Sequence, residues 1–437
     1  MKAKHLIVIS IDAMVTEDIE YARTLPSFKR IIDGASIIKN VKTIYPTLTH
    51  PVHASIISGA AAGATGVVNN ILFDREDPTA AKVWFNDLSQ IRCDTIIHAA
   101  KRAGLTVAVS NWPMTSYGRD FIDYLFPNAL DFYFEGREDS PLDVYRSLGA
   151  SEDIIDVIAE GVEKFGFADK HPEVDYFQFH CAAQIIKRYK PSLLLMHPGN
   201  VDAYRHKCGV WGEHINKALR EIDEMLGDLI SALEEAEILE DTDIVLLSDH
   251  GQIGITRTIA PNVFLRDRGY ITLADDGSLA DWRAFVKSAG ASAQVYLKDP
   301  TDKSLYDEVY SMLSRMASEG IYGFEKVYTA GELKEKYSYH GDFSFVLETD
   351  GYTAFSEHLS GSALRSYDFG NYSVGRGKHG HAPEKGPQPI FIANGPSFKS
   401  GVILECGDIL NHAPTLASAL GVTVRGVTGH SVNEILE

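Results

Sequence analysis

Short apolar runs alternate with helical patterns along this chain. Five runs have the length and composition of buried parallel strands: HLIVIS (5–10), TVAVSN (106–111), SLLLMH (192–197), DIVLLS (243–248) and PIFIAN (389–394). Residues 151–166 and 213–239 repeat apolar positions at helical spacing, for example at Ile215, Leu219 and Ile222. Alternating strands and helices predict an α/β fold with a mostly parallel central sheet and helices on both faces.

Residues 256–374 have a different pattern. The runs QVYLKD (294–299) and FSFVLETD (343–350) alternate apolar and polar residues more than the earlier strands do, and the stretch 355–377 is rich in Gly, Ser and Tyr. We therefore predict that residues 1–255 and 375–437 form the core of the protein. Residues 256–374 are predicted to form an inserted, smaller α+β cap or lid region.

Charge and cysteine content narrow the class of protein. The 60 acidic residues outnumber the 41 basic ones, for a net charge of −19, which argues against a nucleic-acid polymer as partner. The four cysteines lie far apart without a CxxC pair, as expected for reduced thiols. No apolar run is long enough to span a membrane. The run after Met1 ends at Asp12 and is too short for a signal peptide. These features predict a cytoplasmic protein without a membrane partner.

Polar side chains follow three of the predicted strands. Asp12 follows the first, Asp202 and His206 follow the third, and a later strand leads to Asp249 and His250. Parallel strands present ligand-binding residues beyond their carboxyl ends. Carboxylates gathered there would repel one another unless cations neutralised them. Each aspartate alone is more typical of a turn or a helix cap, but their joint occurrence favours a metal site.

Two further stretches carry candidate chemistry. The glycine-rich stretch GRGKHGHAP (375–383) contains His379 and His381, of which we expect one to be a bystander. The stretch YPTLTHPVHASIISG (45–59) places Thr47 and Thr49 at the start of a predicted helix. Backbone N–H groups there favour an anion, and a nearby cation would make a threonine hydroxyl a nucleophile. Alone, these threonines would be read as helix caps.

Together these stretches resemble the type I phosphodiesterase/nucleotide pyrophosphatase branch of the alkaline phosphatase superfamily. The matching segments are ISID, YPTLTHPVHASIISG, TGVVNNILFD, NVDAYRHKCG, LLSDHGQ and GKHGHAP…PIFIANGPSF, in the order typical of the family. The resemblance implies an alkaline phosphatase-like core and two adjacent divalent ions, commonly zinc, with manganese as the alternative. The implied ligands are Asp12, Thr49, Asp249 and His250 for one ion, and Asp202, His206 and His379 for the other.

The resemblance also implies a mechanism. Thr49 matches the nucleophile, which one ion activates to attack phosphorus while the other stabilises the leaving oxygen. Asn70 matches an asparagine that donates a hydrogen bond to a phosphate oxygen, and Thr47 would be structural. The implied activity is hydrolysis of phosphodiester or pyrophosphate bonds of a small phosphate-ester substrate, with nucleotides among the candidates, through a covalent phosphothreonine.

Four positions depart from the nucleotide-cleaving members. His50 and His197 stand where those members carry the two aromatic residues that sandwich the base, so both are candidate substrate-binding residues with a weaker apolar surface. Val52 replaces an asparagine, and His381 replaces a tyrosine. Phosphate-ester chemistry is therefore implied more strongly than nucleotide recognition.

Two alternative functions stay open at the level of sequence. One is a phosphomonoesterase or phosphonate hydrolase of the same superfamily. The other is a non-catalytic protein that binds metal and phosphate on the same scaffold, against which the intact set of seven ligand residues argues.

Overall fold

Strands and helices alternate along most of the chain, as predicted. The computed structural model describes residues 3–129, 140–166, 170–366 and 376–437. In chain order the strands are β1 (His5–Ser10), β2 (Ser36–Ile38), β3 (Val41–Lys42), β4 (Val107–Ser110), β5 (Tyr124–Phe126), β6 (Leu193–Met196), β7 (Thr242–Leu247), β8 (Ile253–Gly254), β9 (Arg257–Ile259), β10 (Ile271–Leu273), β11 (Leu279–Trp282), β12 (Ala284–Ser288), β13 (Ser292–Leu297), β14 (Phe324–Thr329), β15 (Phe345–Thr349), β16 (Thr353–Phe355), β17 (Leu364–Ser366), β18 (Gly377–Lys378), β19 (Phe391–Asn394), β20 (Ile403–Leu404) and β21 (Gly407–Asp408).

Both helices predicted from apolar spacing are present, with shorter bounds, over Ile155–Phe165 and Glu213–Glu235. The helices are α1 (Ile19–Ala22), α2 (Pro26–Ile32), α3 (Thr49–Ser58), α4 (Ala62–Thr65), α5 (Ile96–Arg102), α6 (Pro141–Ser147), α7 (Ile155–Phe165), α8 (Glu173–Tyr189), α9 (Asn200–Cys208), α10 (Glu213–Glu235), α11 (Pro261–Asp267), α12 (Lys303–Glu319), α13 (Ala330–Tyr337) and α14 (His412–Leu420). None of the helices in the described residues is long and apolar enough to cross a membrane.

An eight-stranded sheet forms the centre of the protein, in the order β20-β2-β19-β7-β1-β6-β4-β5. All neighbouring strands run parallel except β19, which is antiparallel to both β7 and β2. The predicted mostly parallel α/β fold is therefore confirmed. The prediction that the run 389–394 is a parallel strand was wrong. An apolar run carries no direction, so the pattern of residues 389–394 could not show which way β19 runs.

Helices cover both faces of this sheet, because each strand sends alternate side chains to opposite sides. In β1, Leu6 and Val8 pack into one core with residues of α3, α5 and α14. Ile7 and Ile9 pack into a second core with residues of α2, α7, α8 and α10. Burial on both faces explains why the strand is apolar at nearly every position.

The predicted insertion contains a second, antiparallel sheet. Its order is β12-β13-β15-β14, and α12 packs against β14. At its base, β8 pairs with β18. Its apolar residues, among them Val295 and Leu347, belong to the same core as Leu6 and Val8. The division at 256 and 374 stays a prediction, and the second of these boundaries falls in 367–375, outside the described residues.

Candidate active site

The candidate site lies beyond the carboxyl ends of three adjacent strands, β7, β1 and β6. Asp12 follows β1, and Asp249 and His250 follow β7. Helix α9, which begins after β6, carries Asp202 and His206 on successive turns. Because parallel strands end at one edge of the sheet, these side chains meet although they are far apart in the sequence.

The first predicted ligand group surrounds the Nε2 atom of His250. The hydroxyl oxygen of Thr49, the first residue of α3, lies 3.3 Å from this nitrogen. Asp249 Oδ2 lies 3.2 Å from it, and Asp12 Oδ1 lies 3.7 Å from it. Ligands bound at about 2.0–2.2 Å to one ion lie roughly 3–4 Å from each other. Thr49, Asp249 and Asp12 therefore each lie within such a distance of His250 Nε2.

The second predicted group consists of Asp202, His206 and His379. His206 Nε2 lies 3.1 Å from Asp202 Oδ2, and His379 Nε2 lies 3.9 Å from Asp202 Oδ1. One ligand atom from each residue can be chosen so that all three lie within 4.8 Å of one another. His379 reaches the group from the loop that follows β18.

The two groups adjoin. Ligand atoms of Asp12, Asp202 and His250 also lie within 4.8 Å of one another. The imidazole rings of His250 and His379 stack, with centroids 3.9 Å apart and planes 14° apart. The structure thus brings all seven predicted ligand residues into one cluster, and their role as ligands stays a prediction.

Buried oxygen atoms in this cluster fit a bound cation. Asp12 Oδ1 and Asp249 Oδ2 are buried and accept no hydrogen bond from the described residues. Burial, with the neighbouring carboxylates, raises the pKa of Asp12 well above its usual value, and burial raises that of Asp249 to about 7. Desolvated carboxylates without a counter-charge are costly. Divalent cations would remove that cost, so the donor set fits them.

The histidines of the cluster are suited to donate lone pairs. Burial lowers the pKa of His379 to about 3 and that of His250 well below its usual value. Burial acts to raise the pKa of Asp202, but the His206 and His379 imidazoles outweigh it and hold this pKa well below the usual range. Neutral imidazoles and ionised carboxylates are the forms that bind metal.

Hydrogen bonds orient these ligand side chains. His206 Nδ1 donates to the carbonyl oxygen of Gly377 at 2.7 Å, and His379 Nδ1 donates to the carbonyl oxygen of Thr47 at 2.9 Å. Both bonds leave Nε2 as the ligand atom, which is the usual construction of metal-binding histidines. The Gln252 amide donates to Asp202.

Asn70 lies beside the N-terminus of α3. Its Oδ1 accepts a hydrogen bond from the His50 backbone N–H at 3.0 Å. Asn69 Oδ1 accepts from the Asn70 backbone N–H at 2.7 Å. The bond from His50 assigns the Asn70 oxygen to the protein backbone. The amide group is thereby left as a donor next to Thr49.

The two candidate substrate-binding histidines are buried within the protein. His50 packs against the ring of Trp84, with centroids 5.0 Å apart. His197 lies 4.2 Å from the ring of His53, and its Nε2 lies 3.3 Å from Asp12 Oδ2. Their role in substrate binding stays a prediction.

Two residues of the site, His53 and Trp84, have no role that the sequence predicted. His53 donates from Nδ1 to the Thr49 carbonyl oxygen at 2.7 Å, and its Nε2 lies 2.9 Å from Ser10 Oγ; its position one turn after Thr49 was the available signal. Trp84 reaches His50 because residues 70–85 fold back on themselves, with Ile71 paired to Trp84, and nothing in the sequence indicated this. The hydrogen bond between His379 Nδ1 and the Thr47 carbonyl oxygen also could not be predicted from the sequence.

Of the two histidines in the glycine-rich loop, His379 joins the cluster and His381 does not. His381 Nδ1 donates to the Ala382 carbonyl oxygen at 2.9 Å, and His381 belongs to neither ligand group found among the described residues. The expectation that one of the pair is a bystander agrees with this arrangement.

A cavity of about 870 Å³ lies next to the segment that carries Asn70 and Trp84. Residues 71–75 and 80–83 of that segment line one part of it, and Lys287, Tyr296 and His340 of the predicted cap line another. Its volume is within the range of small-molecule sites.

The chain matches known proteins over most of its length. Residues 6–380 match the family model described as type I phosphodiesterase / nucleotide pyrophosphatase. The chain is 22% identical, over 63% of its length, to ectonucleotide pyrophosphatase/phosphodiesterase 2 of Saccharomyces cerevisiae. It is 23% identical, over 82% of its length, to ectonucleotide pyrophosphatase/phosphodiesterase 1 of the same yeast. These alignments cover 51% and 48% of the yeast proteins, so the chain spans about half their length.

Other relatives are matched more fully. The chain is 22% identical, over 93% of its length and 76% of the relative, to bis(5'-adenosyl)-triphosphatase ENPP4 of Pongo abelii. Among solved structures, murine ectonucleotide pyrophosphatase/phosphodiesterase 5 superposes with a TM-score of 0.65 at 20% identity, covering 99% of this chain and 100% of that one. The fold is therefore shared. Since the family model covers most of its residues, the chain belongs to the type I phosphodiesterase/nucleotide pyrophosphatase family.

Proposed function

We propose that this chain is a metal-dependent hydrolase that cleaves phosphodiester or pyrophosphate bonds through a phosphothreonine intermediate. The observation that carries the proposal is the position of Thr49. Its hydroxyl stands at the start of α3, 3.3 Å from His250 Nε2, beside a cluster of buried carboxylates. Membership of the family supports the same reaction.

Thr49 is the nucleophile in this proposal. A bond forms between Thr49 Oγ1 and phosphorus as the bond from phosphorus to the leaving oxygen breaks. Water then hydrolyses the phosphothreonine and restores the hydroxyl. A threonine hydroxyl is a weak nucleophile at its ordinary pKa. Divalent cations, when bound by the seven ligand residues, would lower that pKa and offset the charge of the phosphate.

Asn70 supports the reaction as a hydrogen-bond donor. The His50 backbone N–H holds its Oδ1, which leaves Nδ2 to donate to a nonbridging phosphate oxygen. The bond to the backbone also keeps the amide in one orientation before substrate arrives. Donors fixed in advance where negative charge develops stabilise the transition state.

The substrate is a small phosphate ester, with nucleotides among the candidates. One relative is named a bis(5'-adenosyl)-triphosphatase, and a murine relative, as an inactive threonine-to-alanine variant, has been solved in complex with AMP. Both names support a nucleotide on one side of the scissile bond.

We further propose zinc for both ions, with manganese as the alternative, because both metals accept imidazole and carboxylate ligands. A cytoplasmic location is proposed from the four cysteines, none of which forms a disulfide, since reduced thiols are typical of that compartment.

A comparison of three chromogenic or nucleotide substrates tests the reaction. Bis(p-nitrophenyl) phosphate and diadenosine triphosphate should turn over faster than p-nitrophenyl phosphate, and a chelator should abolish turnover. Thr49→Ala should lose at least a hundredfold in kcat, in line with the large effect of removing a nucleophile. Thr49→Ser, which keeps a hydroxyl, serves as the matched control and should retain more activity.

Each alternative predicts a different result. Faster cleavage of the monoester, or of a phosphonate, would assign the chain to those hydrolases instead. Metal binding without turnover of any of these substrates would indicate the non-catalytic alternative. Full activity in Thr49→Ala would exclude the phosphothreonine.

A further inference from the structure

An arginine stands between the two ligand residues of helix α9. Arg205 follows Asp202 by three positions and directly precedes His206, and its side chain is fully buried. Its Nη2 donates to Asp18 Oδ2 at 2.6 Å. Among the ion pairs that lysine and arginine form in the described part of the chain, this pair is the most deeply buried, because the others each leave at least one side chain far more exposed.

The guanidinium of Arg205 has acceptors on three sides. Besides the bond to Asp18, Nε donates to the Ala13 carbonyl oxygen at 3.1 Å, and Nη1 donates to the Val210 carbonyl oxygen. The ring of Trp211 lies over the guanidinium carbon, with its centroid 5.2 Å away. Burial of an ion pair costs hydration and is by itself weak evidence for stability. Its planar donors do, however, fix the positions of the groups that accept from them.

The acceptor Ala13 belongs to the segment that carries the first ligand group. Ala13 directly follows Asp12, and its backbone N–H donates to Asp249 Oδ1 at 3.2 Å. Its φ of 56° lies in the left-handed region, which a residue with a Cβ adopts only where its surroundings impose it. The hydrogen bonds at its N–H and at its carbonyl oxygen impose this conformation. Ala13 thus links Arg205 to Asp249 and sets the direction in which the chain leaves Asp12.

Asp18 holds the other end of the same segment. Its Oδ2 accepts from the Val15 backbone N–H at 2.8 Å as well as from Arg205. The segment 13–18 is therefore fastened to α9 at two points, through the Ala13 carbonyl and through the Asp18 carboxylate.

These contacts connect the two predicted ligand groups through protein atoms. Helix α9 carries Asp202 and His206, and the segment fastened to it begins directly after Asp12. We propose that Arg205 is a positioning residue that fixes the separation of the two ligand groups, and with it the separation of the cations that they hold. Because its side chain is fully buried, Arg205 acts through these ligand residues and not by contact with the substrate.

The inference rests on the proposed two-cation site and adds a requirement to it. Two ions that act together on the attacking and the leaving oxygen must be held at a defined spacing. A misplacement of about 1 Å can cost on the order of a hundredfold in rate. The spacing of ligands on different strands and loops is set by the contacts between those segments, and the contacts of Arg205 are such a link.

Arg205→Lys tests the inference in protein loaded with Mn²⁺. Lysine keeps a positive charge for Asp18, but a single ammonium cannot reproduce the planar contacts to three acceptors. Neighbouring Mn²⁺ ions give a spin-coupled EPR signal, and competition with a chelator gives their dissociation constants. The parent protein should bind two coupled ions. In the variant, at least one ion should bind about 10–100-fold more weakly, and the coupled signal should change or separate into signals of single ions.

Two further variants complete the test. Asp18→Asn keeps an acceptor for Val15 but loses the charge opposite Arg205, so it should shift both measurements in the same direction by a smaller factor. It also replaces Arg205→Lys if that variant does not fold. Arg188→Lys is the matched control, since Arg188 also joins two carboxylates, of Asp156 and Glu160, but at the surface. It should match the parent protein in both measurements, all made on the folded fraction recovered by gel filtration.

The outcomes separate the inference from the proposed function. A lower melting temperature with parent-like affinity and an unchanged EPR signal in Arg205→Lys and Asp18→Asn would make the ion pair purely structural and overturn the inference. The two-cation site would then still stand. Fewer than two Mn²⁺ ions per chain in the parent protein would overturn the proposed function, and the inference with it.

Discussion

His379 and Thr47 are joined by a hydrogen bond from the imidazole Nδ1 to the backbone carbonyl oxygen, at 2.9 Å. The Thr47 hydroxyl strengthens the link: it accepts from the Gly380 backbone N–H at 2.8 Å and donates to the His381 carbonyl oxygen at 3.0 Å. Thr47 stands two residues before Thr49. One short segment therefore positions both the candidate nucleophile and the loop that brings His379 to the second ligand group.

Thr47→Val should weaken metal binding at the second group without unfolding the protein. Valine keeps the shape of threonine but loses both hydroxyl hydrogen bonds to the loop, so His379 is held less firmly. We expect metal affinity to fall about tenfold, as for other residues that orient ligands, measured by titration of chelator-treated protein with Zn²⁺. Thr47→Ser keeps the hydroxyl and should behave as the parent protein. Parent-like affinity in Thr47→Val would contradict the coupling.

Asn70→Ala should reduce kcat by about 10²–10³-fold, because it removes one donor to the developing charge. Metal content should stay unchanged, since Asn70 hydrogen-bonds to the His50 backbone and not to a ligand residue. Steady-state kinetics with a diester and metal analysis of the same samples check both points. A loss of bound metal in parallel with activity would instead indicate that Asn70 maintains the structure of the site.

Removal of the ions should destabilise the folded protein at neutral pH. The carboxylates of Asp12, Asp202 and Asp249 then remain close together. Asp12 and Asp249 are buried, and no cation offsets their charge. The melting temperature should fall on addition of a chelator. Asp249→Asn removes one of these charges, so it should be more stable than the parent protein in chelator and less stable in zinc. The same order of stability under both conditions would argue against the metal site.

His412 should make stability depend on pH at a position outside the site. Burial lowers its pKa to about 3 from 6.5, and its Nε2 has no hydrogen-bond partner in the described residues. Below pH 6.5 the unfolded chain takes up a proton at His412 that the folded chain does not. The contribution of neutral His412 to the free energy of unfolding is therefore complete above pH 6.5 and is lost as the pH falls toward 3. At about pH 5 the loss is on the order of 2 kcal/mol.

His412→Phe removes that contribution. The free energy of unfolding, measured with denaturant at about pH 5 and at neutral pH, should fall less for the variant than for the parent protein. The difference between the two pH values is compared, because the larger phenylalanine ring can itself change stability by about 1–3 kcal/mol. An equal fall in both proteins would show that His412 titrates normally.

The sequence was informative wherever a local pattern determines structure. The apolar runs located all five predicted strands to within two residues at their ends, and the polar residues after them located Asp12, Asp202 and Asp249 at one edge. This follows from the parallel sheet, in which the ends of the strands necessarily gather. The direction of β19 could not be read, because an apolar run is the same in either orientation.

The sequence by itself determined which residues carry chemistry and roughly where they stand: a hydroxyl at the start of a helix, and carboxylates and imidazoles after strands. Only the tertiary structure decided which atom faces which. It directs the Asn70 oxygen to a backbone N–H, separates His379 from His381, and turns His197 toward Asp12. Such pairings depend on strand register and on loops brought together from distant parts of the chain. Local periodicity predicts helices and strands, but it does not show which side chains from distant segments lie within a few ångströms of each other.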